Sequence, residues 1–253
     1  MHLSKPRVGL FITCLVDLFR PAVGFAAITL LENSGCRVSV PGNQTCCGQP
    51  AYNSGDTRTA RLMALRVMDI FENYDYTVLP SGSCAAMMKI HYPALFKTDP
   101  FLAERAHRFS ENVFELVSFL SDVRQIGKVP GSCAGSVTYH DSCAGLRELG
   151  IKKQPRRLLE TVSGLQIREM KDPEICCGFG GSFCVKFPEI SARMSHDKVE
   201  NIRDTGADTV LGGDMGCLLN ISTALKRAGS DIQVRHVAEV LAGMKEGENH
   251  ASA

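Results

Sequence analysis

Residues 44–50 read Gln-Thr-Cys-Cys-Gly-Gln-Pro, and residues 175–183 read Ile-Cys-Cys-Gly-Phe-Gly-Gly-Ser-Phe. The shared Cys-Cys-Gly core recurs 130 positions on, from Cys46 to Cys176. The flanking cysteines keep nearly the same period, with Cys14 and Cys143 offset by 129 positions and Cys84 and Cys217 by 133. Eight of the eleven cysteines obey this rule, so one unit of about half the chain occurs twice. The Gly- and Pro-rich stretch Gly127-Lys-Val-Pro-Gly-Ser-Cys-Ala-Gly135 marks the natural boundary. The expected division is therefore 1–128 and 129–253.

Outward from each cysteine pair, hydrophobic patterning places strands and helices in alternation. The first half reads as strand Val8–Thr13, helix Pro21–Asn33, strand Arg37–Val40, helix Arg58–Glu72 and strand Tyr76–Leu79. In the helix Arg58–Glu72 the apolar positions are taken as Leu62, Leu65, Ile70 and Phe71. The second half repeats the order with strand Val137–His140, helix Pro155–Val162, strand Leu165–Glu169, helix Pro188–Thr205, strand Thr209–Leu211 and helix Leu218–Ala228. Each half closes on an amphipathic segment, Phe114–Leu120 or Arg235–Leu241, expected as a final helix packed on its sheet. Residues Lys89–Arg108 lack a counterpart and read as an insertion. Strands alternating with helices imply an α/β fold: two pseudo-symmetric, three-layer domains, each with a mostly parallel sheet. Parallel strands put their carboxyl ends on one edge, so Cys14, Cys46, Cys47 and Cys84 should converge there, and so should Cys143, Cys176, Cys177 and Cys217.

Four converging thiolates suit zinc or an iron–sulfur cluster. Structural zinc sites favour closely spaced pairs such as C-x2-C, whereas here two cysteines are adjacent and the others lie more than 30 residues away. Neighbouring side chains of an extended chain point in opposite directions, which favours a group larger than one ion. The glycine after each pair supplies a sharp turn, and a helix starting just beyond the loop would help to stabilise an anionic cluster.

These motifs, with Cys14-Leu-Val-Asp-Leu-Phe-Arg-Pro21, Pro80-Ser-Gly-Ser-Cys84 and His140-Asp-Ser-Cys143, resemble the CCG cysteine-rich domain over the whole chain. That domain occurs twice in one of the subunits of heterodisulfide reductase and in the iron–sulfur subunits of glycolate oxidase and anaerobic glycerol-3-phosphate dehydrogenase. The resemblance implies iron–sulfur clusters, up to two per chain, held by the eight repeated cysteines. It further implies an electron-transfer component of a multi-protein system oxidising L-lactate to pyruvate, working with a ferredoxin-type iron–sulfur protein and a third small subunit. A glycolate-type or thiol–disulfide oxidoreductase subunit and a zinc-stabilised interaction module are the alternatives. The sequence departs from the family's closing C-x2-C, because Met87 and Asn220 stand where a fifth cysteine would lie. Four thiolates per half suggest an ordinary [4Fe-4S] cubane.

Composition narrows the setting. Hydrophobic residues form 44% of the 253-residue chain and charged residues 22%, a globular balance. Lys plus Arg (28) nearly equals Asp plus Glu (27), so no global basic field draws the chain to nucleic acid or anionic lipid. The longest apolar candidates, such as Gly24–Leu31, are too short to span a membrane. The start, Met1-His-Leu-Ser-Lys-Pro-Arg7, has no apolar leader segment, which points to the cytoplasm, where many cysteines signal metal or redox chemistry rather than disulfides.

Other residues have plainer readings. Cys36 and Cys133 lack repeat partners and are expected as small buried hydrophobes; for Cys184, core packing outweighs a ligand role. His140 and Asp141 could tune a cluster by hydrogen bonding or simply end a strand, and the sequence favours neither. Gly178-Phe-Gly-Gly181 is expected as a tight turn, Met63, Met68, Met87 and Met88 as core, and Arg156-Arg157 as a solvated face.

Overall fold

The structure, a computed structural model, describes residues 5–245. In the first half β1 (Arg7–Leu10), β2 (Arg37–Ser39), β3 (Tyr76–Leu79) and β4 (Val113–Glu115) form one sheet, and in the second half β5 (Ser132–His140), β6 (Ser163–Ile167), β7 (Thr209–Gly212) and β8 (Gln233–His236) form another. Strand orders β2-β1-β3-β4 and β6-β5-β7-β8 are the same pattern, and every pairing is parallel. The cysteine period is thus a structural repeat, and the α/β architecture with two parallel sheets and flanking helices is as expected.

The order reverses between β1 and β3, and again between β5 and β7. Such switch points open a crevice at the strands' carboxyl edge. Cys14 follows β1 and Cys84 follows β3, while Cys143 follows β5 and Cys217 follows β7, so each crevice is flanked by two of the repeated cysteines. The opposite edge of the first sheet carries a surface hollow of about 880 Å³ beside Arg7, Arg37 and Asp75.

Two elements differ from expectation. Phe114–Leu120 and Arg235–Leu241 are not single helices; β4 and β8 run into them and give way to short helical segments beginning at Leu116 and Val237. Glu115 and His236 make that change, each extended in backbone and accepting a hydrogen bond from a following N–H, Ser118 for one and Ala238 for the other. A strand of three or four residues followed at once by a helix mimics helical periodicity, which is why the fourth strand of each sheet is hidden in the pattern. In the helix Thr57–Phe71, Leu62 is 60% exposed, and the buried face is Ala60, Ala64, Val67, Met68 and Phe71. The insertion is real: the helix Pro100–Glu111 leads into β4, whereas in the second half the single helix Met215–Arg227 precedes β8.

The halves pack through matching contacts. The helix Ala22–Asn33 lies on Val237–Leu241, and the helix Lys153–Leu159 lies on Leu116–Val123; one apolar core containing Leu30, Val117, Leu158 and Leu241 runs through both. Closer to the crevices, Gly82–Ala86 packs on Cys143–Arg147 and Cys14–Phe19 on Met215–Arg227. Gly82 is required there, since a Cβ would stand 3.0 Å from the Gly145 Cα. Ser81 and Asp214, which cap corresponding helices, meet across the interface: the Ser81 hydroxyl and the Ser83 N–H donate to Asp214 Oδ2 at 3.1 and 2.9 Å. Arg20 reaches across to Glu239 at 2.8 Å.

Candidate metal centre

In the first half the sulfurs form a chain of contacts. Cys46 hydrogen-bonds with Cys14 and with Cys47, and Cys47 Sγ lies 3.4 Å from Cys84 Sγ. The second half repeats it, Cys176 contacting Cys143 and Cys177, and Cys177 contacting Cys217. All eight expected cysteines therefore come together as two groups of four. The expectation that adjacent cysteines point apart is not met, because residues 44–48 form a loop rather than a strand and the Cys46 and Cys47 sulfurs meet.

Local sequence explains the shape of each loop. Gly48 and Gly178 take φ of 87° and 83°, a left-handed conformation suited to glycine, and their N–H groups donate to Cys46 and Cys176 sulfur at 3.5 and 3.4 Å. At Gly178 a Cβ would also stand 2.6 Å from the Ser191 carbonyl oxygen. The carbonyl after the second cysteine is held in both halves, by the Tyr92 hydroxyl on Cys47 O at 2.8 Å and by the Asn220 amide on Cys177 O at 2.7 Å. Asn220 thus supports the loop, and Met87 is buried in the core. Cys14 and Cys143 open short helices, and Cys84 and Cys217 sit in the first turns of Gly82–Ala86 and Met215–Arg227.

The sulfurs share protons unequally. Hydrogen bonds from their cysteine neighbours hold Cys46 and Cys176 far below the ordinary thiol range, while Cys14 and Cys143 are raised, first by donating to those thiolates and then by burial. One sulfur in each group is poised as a soft anionic ligand, with three more beside it. A soft-metal site has this donor chemistry, so the residues fit an iron–sulfur group.

The surroundings of the groups differ. His140 is 1% exposed, and the structure gives neither ring nitrogen a hydrogen-bond partner; one lies within 4.8 Å of the sulfurs of Cys177 and Cys217, which are themselves within that distance of each other. Burial and the charge of Lys198 push His140 down to about 3, so it stays neutral. Lys198 is fully buried and donates to the carbonyls of Asp172 and Pro173, just before the cysteine pair; burial lowers it to about 8. Sequence reading missed Lys198, whose one signal is its position on the buried face of helix Pro188–Arg203 beside Ser191, Ser195 and Ile202. Tyr92, inside the insertion, gave no signal at all.

Asp141 and Arg156 correct the solvated-face reading. The Asp141 side chain is fully buried, and Arg156, 17% exposed, grips it with two hydrogen bonds of 2.9 and 3.0 Å while pairing with Glu169 at 2.7 Å. Arg157, at 60% exposure, does lie on the surface. Cys36 is buried in the core and Cys133 packs against it. The Cys184 thiol donates to the Gly181 carbonyl at 3.2 Å. Gly178, Gly180 and Gly181 all take positive φ in a tight turn. Cys143, Cys176, Cys177 and Cys217 line a cleft of about 290 Å³ that Gln49 and Asn53 of the first half also line.

Comparison with known proteins now bears on this arrangement. The cysteine-rich domain family CCG matches twice, over residues 8–89 and 137–222, each span containing one group of four cysteines. The chain belongs to the CCG cysteine-rich domain family. Among its relatives, lactate utilization protein A of Bacillus cytotoxicus is 45% identical over 235 residues, covering 93% of this chain and 98% of that one. The lactate utilization protein A of Geobacillus kaustophilus is 48% identical with the same coverage. A solved structure of a hypothetical protein from Helicobacter pylori has a TM-score of 0.68 at 10% identity, covering 97% of this chain and 52% of that one, a likeness of fold alone. Among the described residues of this two-repeat CCG chain, no helix is long and apolar enough to cross a membrane.

Proposed function

We propose that this chain is an iron–sulfur electron-transfer subunit of a cytoplasmic system that oxidises L-lactate to pyruvate. The observation that carries the reading is the duplicated four-sulfur group at each sheet's carboxyl edge, in a chain nearly half identical to lactate utilization proteins A along almost their whole length. Cys14, Cys46, Cys47 and Cys84 would hold one [4Fe-4S] group and Cys143, Cys176, Cys177 and Cys217 another. Bound there, such groups accept and release single electrons. Oxidising lactate to pyruvate releases two electrons and two protons, so two one-electron centres match the electron count. A ferredoxin-type iron–sulfur protein and a third small subunit would supply the substrate chemistry and the onward path.

The chain's own residues serve that role by rigidity. Tyr92 and Asn220 fix the loop carbonyls, Lys198 ties down the segment before Cys176, and the Asp141–Arg156 pair anchors the turn into Cys143. The Ser81–Asp214 contact fixes one half against the other close to Cys84 and Cys217.

Anaerobic lactate titration tests the reading. With the two partner proteins present, lactate should bleach the visible absorption of this chain; the chain alone should stay oxidised. Bleaching of the chain alone would make it the lactate-oxidising enzyme itself, and no bleaching with partners present would remove it from lactate oxidation.

A further inference from the structure

Phe11 and His140 occupy corresponding positions in the two halves. Each lies three residues before the first cysteine of its repeat, Cys14 or Cys143, at the end of β1 or β5, and both are buried. In the first half an apolar ring fills the position. The second half places an imidazole there and gives neither nitrogen a hydrogen bond. A buried polar group left unpaired costs about 1–3 kcal/mol, so packing alone is better served by phenylalanine. A ring nitrogen of His140 nevertheless faces two buried sulfurs, the three atoms all within 4.8 Å of one another. A nitrogen and a sulfur bound to one metal at about 2.0 and 2.3 Å stand within roughly 3.6 Å of each other. Contraction of about 1 Å would bring the nitrogen and one of those sulfurs onto one iron, which with its three cluster sulfides would then be five-coordinate.

We infer that His140 is a nitrogen ligand of the second centre, sharing an iron with Cys177 or Cys217, and that the first centre has no such ligand. The inference rests on the iron–sulfur reading and deepens it. Four cysteines and one imidazole then serve the second half, while four cysteines alone serve the first. Asn220, at the fifth cysteine's place, is already committed to the Cys177 carbonyl, so the extra donor does not come from that position. An imidazole adds no negative charge, as the histidine-ligated [2Fe-2S] centres illustrate with their raised potentials. The second centre should accordingly be easier to reduce than the first.

Pulsed electron paramagnetic resonance on the anaerobic, half-reduced full chain tests this, beside iron and sulfide analysis of the same sample. Wild type should show the strong hyperfine coupling of a directly bound nitrogen, and protein grown with ¹⁵N-histidine should show it shifted to the other isotope. That isotope measurement needs no variant, so it keeps the inference open to refutation even where a substitution fails to fold, because wild type without the coupling excludes every histidine. His140→Phe, which installs the first half's own residue, should abolish the coupling and lower the midpoint potential of the second centre while leaving the first unchanged. Iron and sulfide present without a histidine coupling would overturn the ligand while sparing the iron–sulfur reading. A coupling that survives in His140→Phe would overturn it too. Absence of iron and sulfide would overturn both.

Discussion

Replacing Arg156 by methionine should destabilise the protein far more than its position near the surface suggests. The Asp141 carboxylate has no exposed side-chain area, and its two oxygens accept from Arg156 Nη1 and Nη2 at 2.9 and 3.0 Å. Arg156→Met leaves that charge buried without its counter-ion, a loss worth about 3–5 kcal/mol. The companion bond to Glu169 adds little, because Glu169 is 47% exposed and exposed pairs contribute at most about 1 kcal/mol. For a chain of this size each kcal/mol moves the melting temperature by roughly 2–4 °C, so a fall of about 6–20 °C is expected by differential scanning calorimetry under reducing conditions. The double variant Asp141→Leu/Arg156→Met removes both charges and should recover more than half of the loss. Arg157→Met, at the adjacent exposed position, should stay within about 0.5 kcal/mol of wild type. A cost below about 1 kcal/mol for Arg156→Met, or simple additivity in the double variant, would refute the reasoning.

Burial raises Glu115 from 4.5 to about 7, although the Ser118 N–H hydrogen-bonds its carboxylate. The folded state therefore holds the proton more tightly, giving stability that is complete below pH 4.5 and lost as pH rises through about 7. Glu115→Gln should remove a loss on the order of 3 kcal/mol between those limits, read from denaturant midpoints at pH 5 and 8; an unchanged slope would contradict the assignment. Gly178→Ala forces a side chain into φ of 83° with its Cβ 2.6 Å from the Ser191 oxygen, whereas Gly55, at φ of 80°, has open space. Gly178→Ala should thus cost more than Gly55→Ala, by about 2 kcal/mol in chemical denaturation, and equal costs would show that the loop relaxes freely. Asp214→Ala strands the Ser81 hydroxyl and the N–H groups of Ser83 and Gly216 at the junction of the halves, for a loss of about 3 kcal/mol that Asp214→Asn should partly spare in the same assay.

Much of the architecture was readable because it is periodic. The spacing of eight cysteines exposed the duplication, and alternation of strands and helices then implied parallel sheets whose carboxyl edge gathers them. Elements too short to show a period were lost: β4 and β8 merged with the helices after them, and Leu62 looked buried because neighbouring apolar residues carry the real face. Side-chain pairing was harder still. Arg156 reads as surface in a basic dipeptide, and only the fold brings it to Asp141, 15 positions away. Lys198 likewise occupies an apolar helical position for a reason invisible in sequence, namely two carbonyls that need a donor. His140 stood out beside Cys143, but its lack of a hydrogen-bond partner and its approach to Cys177 and Cys217 are facts of packing.

The central claim is that the two four-cysteine groups hold iron and sulfide, and elemental analysis of anaerobically purified protein tests it most directly. Wild type should contain about eight irons and about eight acid-labile sulfides per chain, four of each for each centre. Cys46→Ser and Cys177→Ser should each lose about half, and Cys36→Ser and Cys133→Ser should lose none. Zinc without sulfide in wild type, or equal losses from all four variants, would contradict the account.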